Sequence, residues 1–265
     1  MSNINDMRHR ETVPNSRRLK KDTGTISAMF NGIAHSYDML NHIFSLNIDK
    51  YWRRQMVEFL KSSMDVEQPK VLDIACGTGD SSIALYKAGM NVSGMDIAQK
   101  MLDIAVEKNA HLQRKAARYD AKHPDAPLPP LPDYIFASAE KLPFETGKFD
   151  AVTISFGIRN FNRRSSCLSE IYRVMKPGGV LAILEFAKPQ NPVIRFFYNL
   201  YFNKVLPFVG KLVSKDKDAY KYLSTSVEAF PKFDAFAQEL KDAGFREVKF
   251  RKMTFGICVL YTGIK

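Results

Sequence analysis

The segment Lys70–Ala75 (KVLDIA) is a short apolar run that ends in Cys76-Gly77-Thr78-Gly79, and no other feature restricts the fold as much. A run of that length closed by glycines reads as a buried strand entering a tight turn. Asp80–Ala88 follows as a helix, with Asp80 or Thr78 suited to its cap and Gly89 just past its end. A second strand, Asn91–Asp96, and a long helix, Ala98–Ala117, repeat the unit. Further strands are predicted at Tyr134–Ser138, Phe149–Phe156 and Val180–Phe186, with a helix at Arg164–Met175 closed by Lys176-Pro177-Gly178-Gly179. Alternating short apolar strands and helices predict a mostly parallel sheet with helices on both faces. After a helix at Asp234–Ala243, Phe245–Lys252 and Phe255–Lys265 are expected to add an antiparallel hairpin at one edge. Seven strands result.

Residues 25–265 are read as one domain. Within it, 25–62 form a helical cap, carried by Trp52, Met56, Phe59 and Leu60 at helical spacing, and 191–227 form an aromatic helical insertion. Residues 1–24 are read as a flexible basic extension, with Arg8, Arg10, Arg17, Arg18, Lys20 and Lys21 against Asp6 and Glu11. Ala121–Pro132 is a proline-rich connector. With 45% apolar residues the chain is not a disordered one, and no window reaches the roughly 18–20 apolar residues of a bilayer span. Cys76, Cys167 and Cys258 are far apart, without metal or disulfide spacing, so a reducing, cytoplasmic setting without a metal site is expected. The net charge of +11 favours nucleic acid, an anionic membrane face or acidic ligands.

Strand, glycine turn and helix together hold a charged small molecule. Gly77 and Gly79 admit close backbone approach, and the helix N-terminus offers free N–H groups. Asp96, at the end of the next strand, can accept both hydroxyl hydrogens of a ribose. A dinucleotide fingerprint requires glycine where this chain has Ser82. Leu72-Asp73-Ile74-Ala75-Cys76-Gly77-Thr78-Gly79 instead resembles the first motif of S-adenosylmethionine-dependent methyltransferases. Asp73, Gly77, Thr78 and Gly79 are thereby candidate cofactor residues. Ser138 and Ala139, expected at the third strand's end, suit an adenine edge, and Ser155 ends the fourth strand on the same crevice.

Tyr37-Asp38-Met39-Leu40-Asn41, with Ser45 and Trp52, resembles the N-terminal signature of the ubiquinone/menaquinone biosynthesis C-methyltransferase family. Arg173-Val174-Met175-Lys176-Pro177-Gly178-Gly179, with Glu185, resembles its second signature, and Ile154-Ser155-Phe156-Gly157-Ile158-Arg159-Asn160-Phe161 is similar to the stretch between them. Asp49 stands where that family commonly has histidine. The resemblance implies a class I S-adenosylmethionine-dependent methyltransferase fold, Rossmann-like, with one antiparallel strand in the edge hairpin. It implies S-adenosyl-L-methionine as cofactor, bound through Thr78, Asp96, Ser138, Ala139 and Ser155. It also implies methylation of a polyprenylated quinol at a ring carbon, demethylmenaquinol first and a methoxy-polyprenyl-benzoquinol as sister substrate.

A neutral quinol is a poor carbon nucleophile, and its phenol, with a pKa of about 10, must be held as the anion. Arg159 and Asn160 follow Ser155 off the strand end and are expected to meet the quinol oxygen, the arginine as an oxyanion holder rather than a base. Surface ion pairing of Arg159 is the alternative. His35 and Tyr37 are set to close over the acceptor, although His35 reads equally well as structural. Phe196, Phe197, Leu200, Tyr201 and Val205 recur near helical spacing beside Arg195, Lys204 and Lys211, as on a helix resting against an anionic inner membrane face. Packing on the sheet or in a homodimer interface explains them equally well. An RNA methyltransferase is the competing enzyme, but no Asn-Pro-Pro-Tyr type motif stands near Ser155 and no nucleic-acid partner is expected. A non-catalytic scaffold on the same fold is the non-enzymatic alternative.

Overall fold

The computed structural model describes residues 22–125, 127–201, 222, 225–231 and 233–265. The basic extension therefore lies almost wholly outside the described residues, as do Lys204, Val205 and Lys211 of the aromatic segment.

Seven strands form one sheet: β1 Lys70–Ile74, β2 Asn91–Asp96, β3 Asp133–Phe136, β4 Phe149–Ser155, β5 Met175–Phe186, β6 Arg246–Met253 and β7 Cys258–Ile264. Their spatial order is β3-β2-β1-β4-β5-β7-β6. β1 to β5 pair in parallel, and β7 enters antiparallel between β5 and the outermost β6, so the hairpin builds that edge. The helices among the described residues include α1 Thr23–Phe44, α2 Ile48–Ser63, α3 Asp80–Lys87, α4 Gln99–Asp120, α5 Arg164–Val174, α6 Pro192–Leu200 and α7 Asp234–Asp242.

The inner strands are apolar throughout because both faces of the sheet are covered. Along β5, Leu181 and Ile183 join the core that includes Phe236 of α7, whereas Val180, Ala182 and Leu184 join the one that includes Trp52 and Met56 of α2. Successive side chains thus feed opposite cores, as strand geometry requires. A third, smaller cluster joins Ile33 and Ala34 of α1 to Met101 of α4. It lays α1 over the strand ends. Ser27 Oγ donates to the Ile97 carbonyl at 2.7 Å, and Lys100 N–H donates to Asn31 Oδ1 at 2.9 Å, which fixes that cover.

Several boundaries differ from expectation, two of them at the strand ends that matter here. β3 stops at Phe136, so Ser138 belongs to the loop beyond it. The N-cap of α3 is Gly79 at φ 82°, not Thr78 or Asp80. Thr78 is unavailable because its hydroxyl bonds to Asp38 of α1, and Asp80 lies within the first helical turn.

Candidate active site

The chain moves from β1 outward to β3 and then returns to place β4 on the other side of β1. A crevice opens at such a reversal, beyond the carboxyl ends of the strands. The loops leaving β1 and β4 touch there, since a Cβ on Gly157 would fall 2.5 Å from the Ala75 side chain. Ala75 at φ 55° and Phe156 at φ 59° both hold the left-handed conformation that non-glycine residues avoid. Backbone strain of this kind, typically about 1–3 kcal/mol per residue, collects at functional sites.

Asp96 binds the glycine loop directly. Its Oδ2 accepts the Gly77 N–H at 2.9 Å and its Oδ1 accepts the Ala98 N–H at 2.9 Å. Burial raises its pKa, and hydrogen bonds from the backbone of Gly77, Ala98 and Ile97 pull against that rise. Beside it lies a cavity walled by Asp96, Gly77, Ser155 and Asn160 on the sheet side. Ile26, Phe30 and Tyr37 of α1 form the opposite wall, with Phe156 and Phe161 between. An adjoining hollow shares Ile97, Asn160 and Phe161 with it and is lined by Ser138 and Ala139. Ser155 Oγ accepts a hydrogen bond from Ser81 Oγ at 2.9 Å, which ties the β4 end to α3.

The other candidates stand behind these walls. Thr78 is buried; it donates to Asp38 and accepts from Lys108 Nζ at 3.2 Å, while Lys108 also pairs with Asp38 and Asp80, each at 2.7 Å. Thr78 therefore fastens α1 across the loop. Gly79 is needed for packing as well as for its φ, because a Cβ there would lie 2.5 Å from the Tyr134 hydroxyl. His35 is exposed, whereas Tyr37 faces the cavity. Among the described residues, His42, Asp49 and Asp80 converge closely enough to hold a metal ion. Arg53 pairs with both carboxylates, so the cluster is neutralised by a guanidinium instead.

Asp73 is fully buried beneath the loop, accepting from Ser82 Oγ at 2.6 Å and Thr153 Oγ1 at 2.8 Å. Burial pushes its pKa from 3.8 to about 6, against the pull of those two hydroxyls. The native state then holds this proton more tightly than the unfolded chain between about pH 4 and 6. Stability therefore falls as pH rises through that window, by roughly 3 kcal/mol, and is flat above it. Asp73→Asn, which keeps one acceptor and adds a donor, is expected to gain stability relative to wild type over that same window. Melting temperatures of both proteins from pH 4 to 8 check this; a constant difference would refute it.

Arg159 was expected to reach the acceptor oxygen, but its guanidinium is committed elsewhere. It is 4% exposed, its Nη1 lies 2.7 Å from Glu185 Oε1, and its own N–H donates to Glu185 Oε2 at 3.1 Å. The same Nη1 bonds the Phe156 carbonyl, and the guanidinium stacks 5.5 Å from the Phe186 ring centre. The partner is thus a buried carboxylate rather than a surface one. Asn160 alone of the pair reaches the cavity wall.

Residues 17–265 match the ubiE/COQ5 methyltransferase family. The chain belongs to that family. Across 247 residues it is 37% identical to the demethylmenaquinone methyltransferase of Chlorobaculum tepidum, covering 92% of this chain and 94% of that one. It is 35% identical over 257 residues to the ubiquinone/menaquinone biosynthesis C-methyltransferase UbiE of Roseobacter denitrificans, covering 96% and 94%. Magnesium protoporphyrin IX methyltransferase of Synechocystis, solved with bound S-adenosylhomocysteine, superposes with a TM-score of 0.59 at 18% identity. That match covers 92% of this chain and all of the other, and it establishes the fold. The cofactor of this ubiE/COQ5 family member is S-adenosyl-L-methionine. The donor set fits it: Asp96 faces the cavity with acceptor capacity beyond its backbone bonds, and Ile97 and Ala139 offer apolar surface next to it.

Lys108, Ser226 and Tyr222 carry no local sequence signal and were not anticipated. Glu185 did leave one, as the lone acid inside the apolar run Val180–Phe186.

Proposed function

We propose that this methyltransferase methylates a ring carbon of a polyprenylated quinol, converting demethylmenaquinol to menaquinol. The observation that carries this reading is one cavity with aromatic walls, Phe30, Tyr37, Phe156 and Phe161, into which both Asp96 and Asn160 open. Flat apolar rings suit those walls, and the demethylmenaquinone methyltransferases at 36–38% identity cover at least 92% of the chain. S-adenosylmethionine, when bound, supplies a methyl group already activated by its sulfonium. Asp96 would hold the ribose hydroxyls, Gly77 would let the backbone approach, and Ser138 with Ala139 would border the adenine. Ser155 would complete the cofactor side.

The remaining task is to hold the acceptor as a phenolate. Asn160 would donate an amide N–H to the acceptor oxygen. Arg159, behind it, would lend positive field while Glu185 limits its net charge. Preorganised donors of this kind act best where water is excluded, a role that α1, lining the cavity through Ile26, Phe30 and Tyr37, would serve. Relatives named for both ubiquinone and menaquinone synthesis make the benzoquinol the second candidate acceptor. Radiolabelled methyl transfer to each quinol under reducing conditions tests the reading. Demethylmenaquinol should be the faster acceptor, and Asn160→Ala should lower kcat by about 10²-fold or more, as loss of an oxyanion donor does. Label in neither quinol would refute the assignment.

The apolar tail of such a substrate resides in a bilayer. No helix among the described residues is long and apolar enough to cross one. α6 offers peripheral contact: Asn191 caps it through the Val193 N–H at 2.9 Å, Pro192 opens it, and Val193, Phe196 and Phe197 are all more than 60% exposed beside Arg195. We expect flotation with anionic liposomes at low salt, lost on Phe196→Asp/Phe197→Asp. Vesicle-independent dimerisation through this face would be the contrary result.

A further inference from the structure

We infer that Tyr222 and Ser226, from the chain segment returning after α6, are positioning residues that set the orientation of the Asn160–Arg159 pair for the acceptor. This rests on the reading above, that Asn160 meets the acceptor oxygen. Tyr222 Oη lies 3.0 Å from Asn160 Oδ1, across 62 residues of sequence, and Ser226 Oγ lies 3.3 Å from Arg159 Nε, across 67. An amide oxygen only accepts, so the phenol must donate. Burial raises the Tyr222 pKa, which keeps that proton in place. With Oδ1 committed to Tyr222, the NH₂ of the same planar carboxamide is the group left for the cavity that Asn160 lines. The alternative rotamer would turn a carbonyl oxygen toward an acceptor phenolate and repel it. By donating to Oδ1, the Tyr222 hydroxyl supports the orientation that leaves the NH₂ for the acceptor.

Ser226 and the described residues after it are firmly seated. Ser226 is fully buried, Val227 and Phe230 are buried beside it, and the Phe230 ring packs 4.8 Å from that of Phe236 in α7. The Arg164 guanidinium covers Phe230 at 5.5 Å and pairs with Glu239 of α7 at 2.8 Å. Ser226 is therefore held by the main core rather than by the acceptor-side surface. On the other side, Glu185 grips Arg159, so the Arg159–Asn160 turn is held from behind by β5 and from the flank by Tyr222 and Ser226.

Tyr222→Phe tests this, since it removes only the hydroxyl. We expect kcat for the preferred quinol to fall about tenfold, while the KM for S-adenosylmethionine stays within error of wild type and the melting temperature falls only by what loss of one hydrogen bond explains. Tyr222→Phe combined with Asn160→Ala should be no slower than Asn160→Ala alone, because the hydroxyl acts only through that amide. Additive losses, or a tenfold loss shared with cofactor affinity, would overturn the inference. The ¹⁵N-resolved side-chain amide signal of Asn160 supplies a readout that needs no turnover. It should shift in Tyr222→Phe and stay put in a control at Tyr119, a distant exposed tyrosine. An unmoved Asn160 signal refutes the clamp. A wild type inert toward both quinols, with the signal still shifted, refutes the substrate assignment and leaves the clamp standing.

Discussion

Asp96→Ala is expected to weaken S-adenosylmethionine binding by about 10²–10⁴-fold, the consequence of losing two hydrogen bonds to a charged acceptor at roughly 1.5–3 kcal/mol each. The same change frees the Gly77 and Ala98 N–H groups that the carboxylate now accepts, so the glycine loop loses its anchor along with the proposed ribose contact. Asp96→Asn should fall between the two, since the amide keeps one acceptor oxygen and replaces the other with a donor. Calorimetric titration of cofactor and of its demethylated product measures both variants. The pH dependence follows in sign. Burial raises the Asp96 pKa, so protonation, and with it loss of an acceptor, begins at a higher pH than for an ordinary carboxylate. Cofactor affinity should decline as pH is lowered into that range and recover above it. An Asp96→Ala protein that binds the cofactor like wild type would remove the basis for the whole site.

Much of this pocket was written in local sequence. The β1 run, Gly77 and Asp96 come together because a parallel sheet must place successive strand ends side by side, and the register pairs Ile74 with Met95 just before both turns. The buried double face of β5 was equally legible as an apolar run interrupted only by Glu185. What local pattern could not supply was the identity of distant partners. Arg159 reads from its neighbours as a cavity cation, and only the β4–β5 pairing brings Glu185 against it. Thr78 reads as a ligand contact, yet α1 folds back so that Asp38 meets its hydroxyl. Asp73 belongs to the glycine motif, but strand alternation turns its side chain down toward Ser82 and Thr153 and away from the crevice. Ser138 was expected on a strand and lies past its end, though it still borders the hollow beside Ile97. In each case the element was foreseeable and the side chain's partner was set by topology.

The ion pair between Arg159 and Glu185 makes the strongest prediction about stability. Both side chains are almost completely removed from solvent, at 5% and 0% exposure, so neither charge can be hydrated if the other is deleted. Glu185→Ala should therefore cost about 3–5 kcal/mol in urea unfolding, and Arg159→Ala a comparable amount. Glu185 also accepts the Arg159 and Phe186 N–H groups, at 3.1 and 2.8 Å, so its loss leaves backbone donors unpaired as well. Glu185→Gln, which can still accept one of them, should lose less. Replacing both members with apolar residues of similar volume, Arg159→Met with Glu185→Leu, should recover most of the stability because no uncompensated charge remains. Turnover should not recover with it. The refolded double variant would retain a cofactor pocket built by Asp96 and Gly77 but lack the positive field behind Asn160, and its kcat should stay as low as that of Arg159→Ala. A Glu185→Ala protein within 1 kcal/mol of wild type would mean that the pair is hydrated in solution. A double variant with full activity would mean that Asn160 stabilises the acceptor without help from the buried arginine.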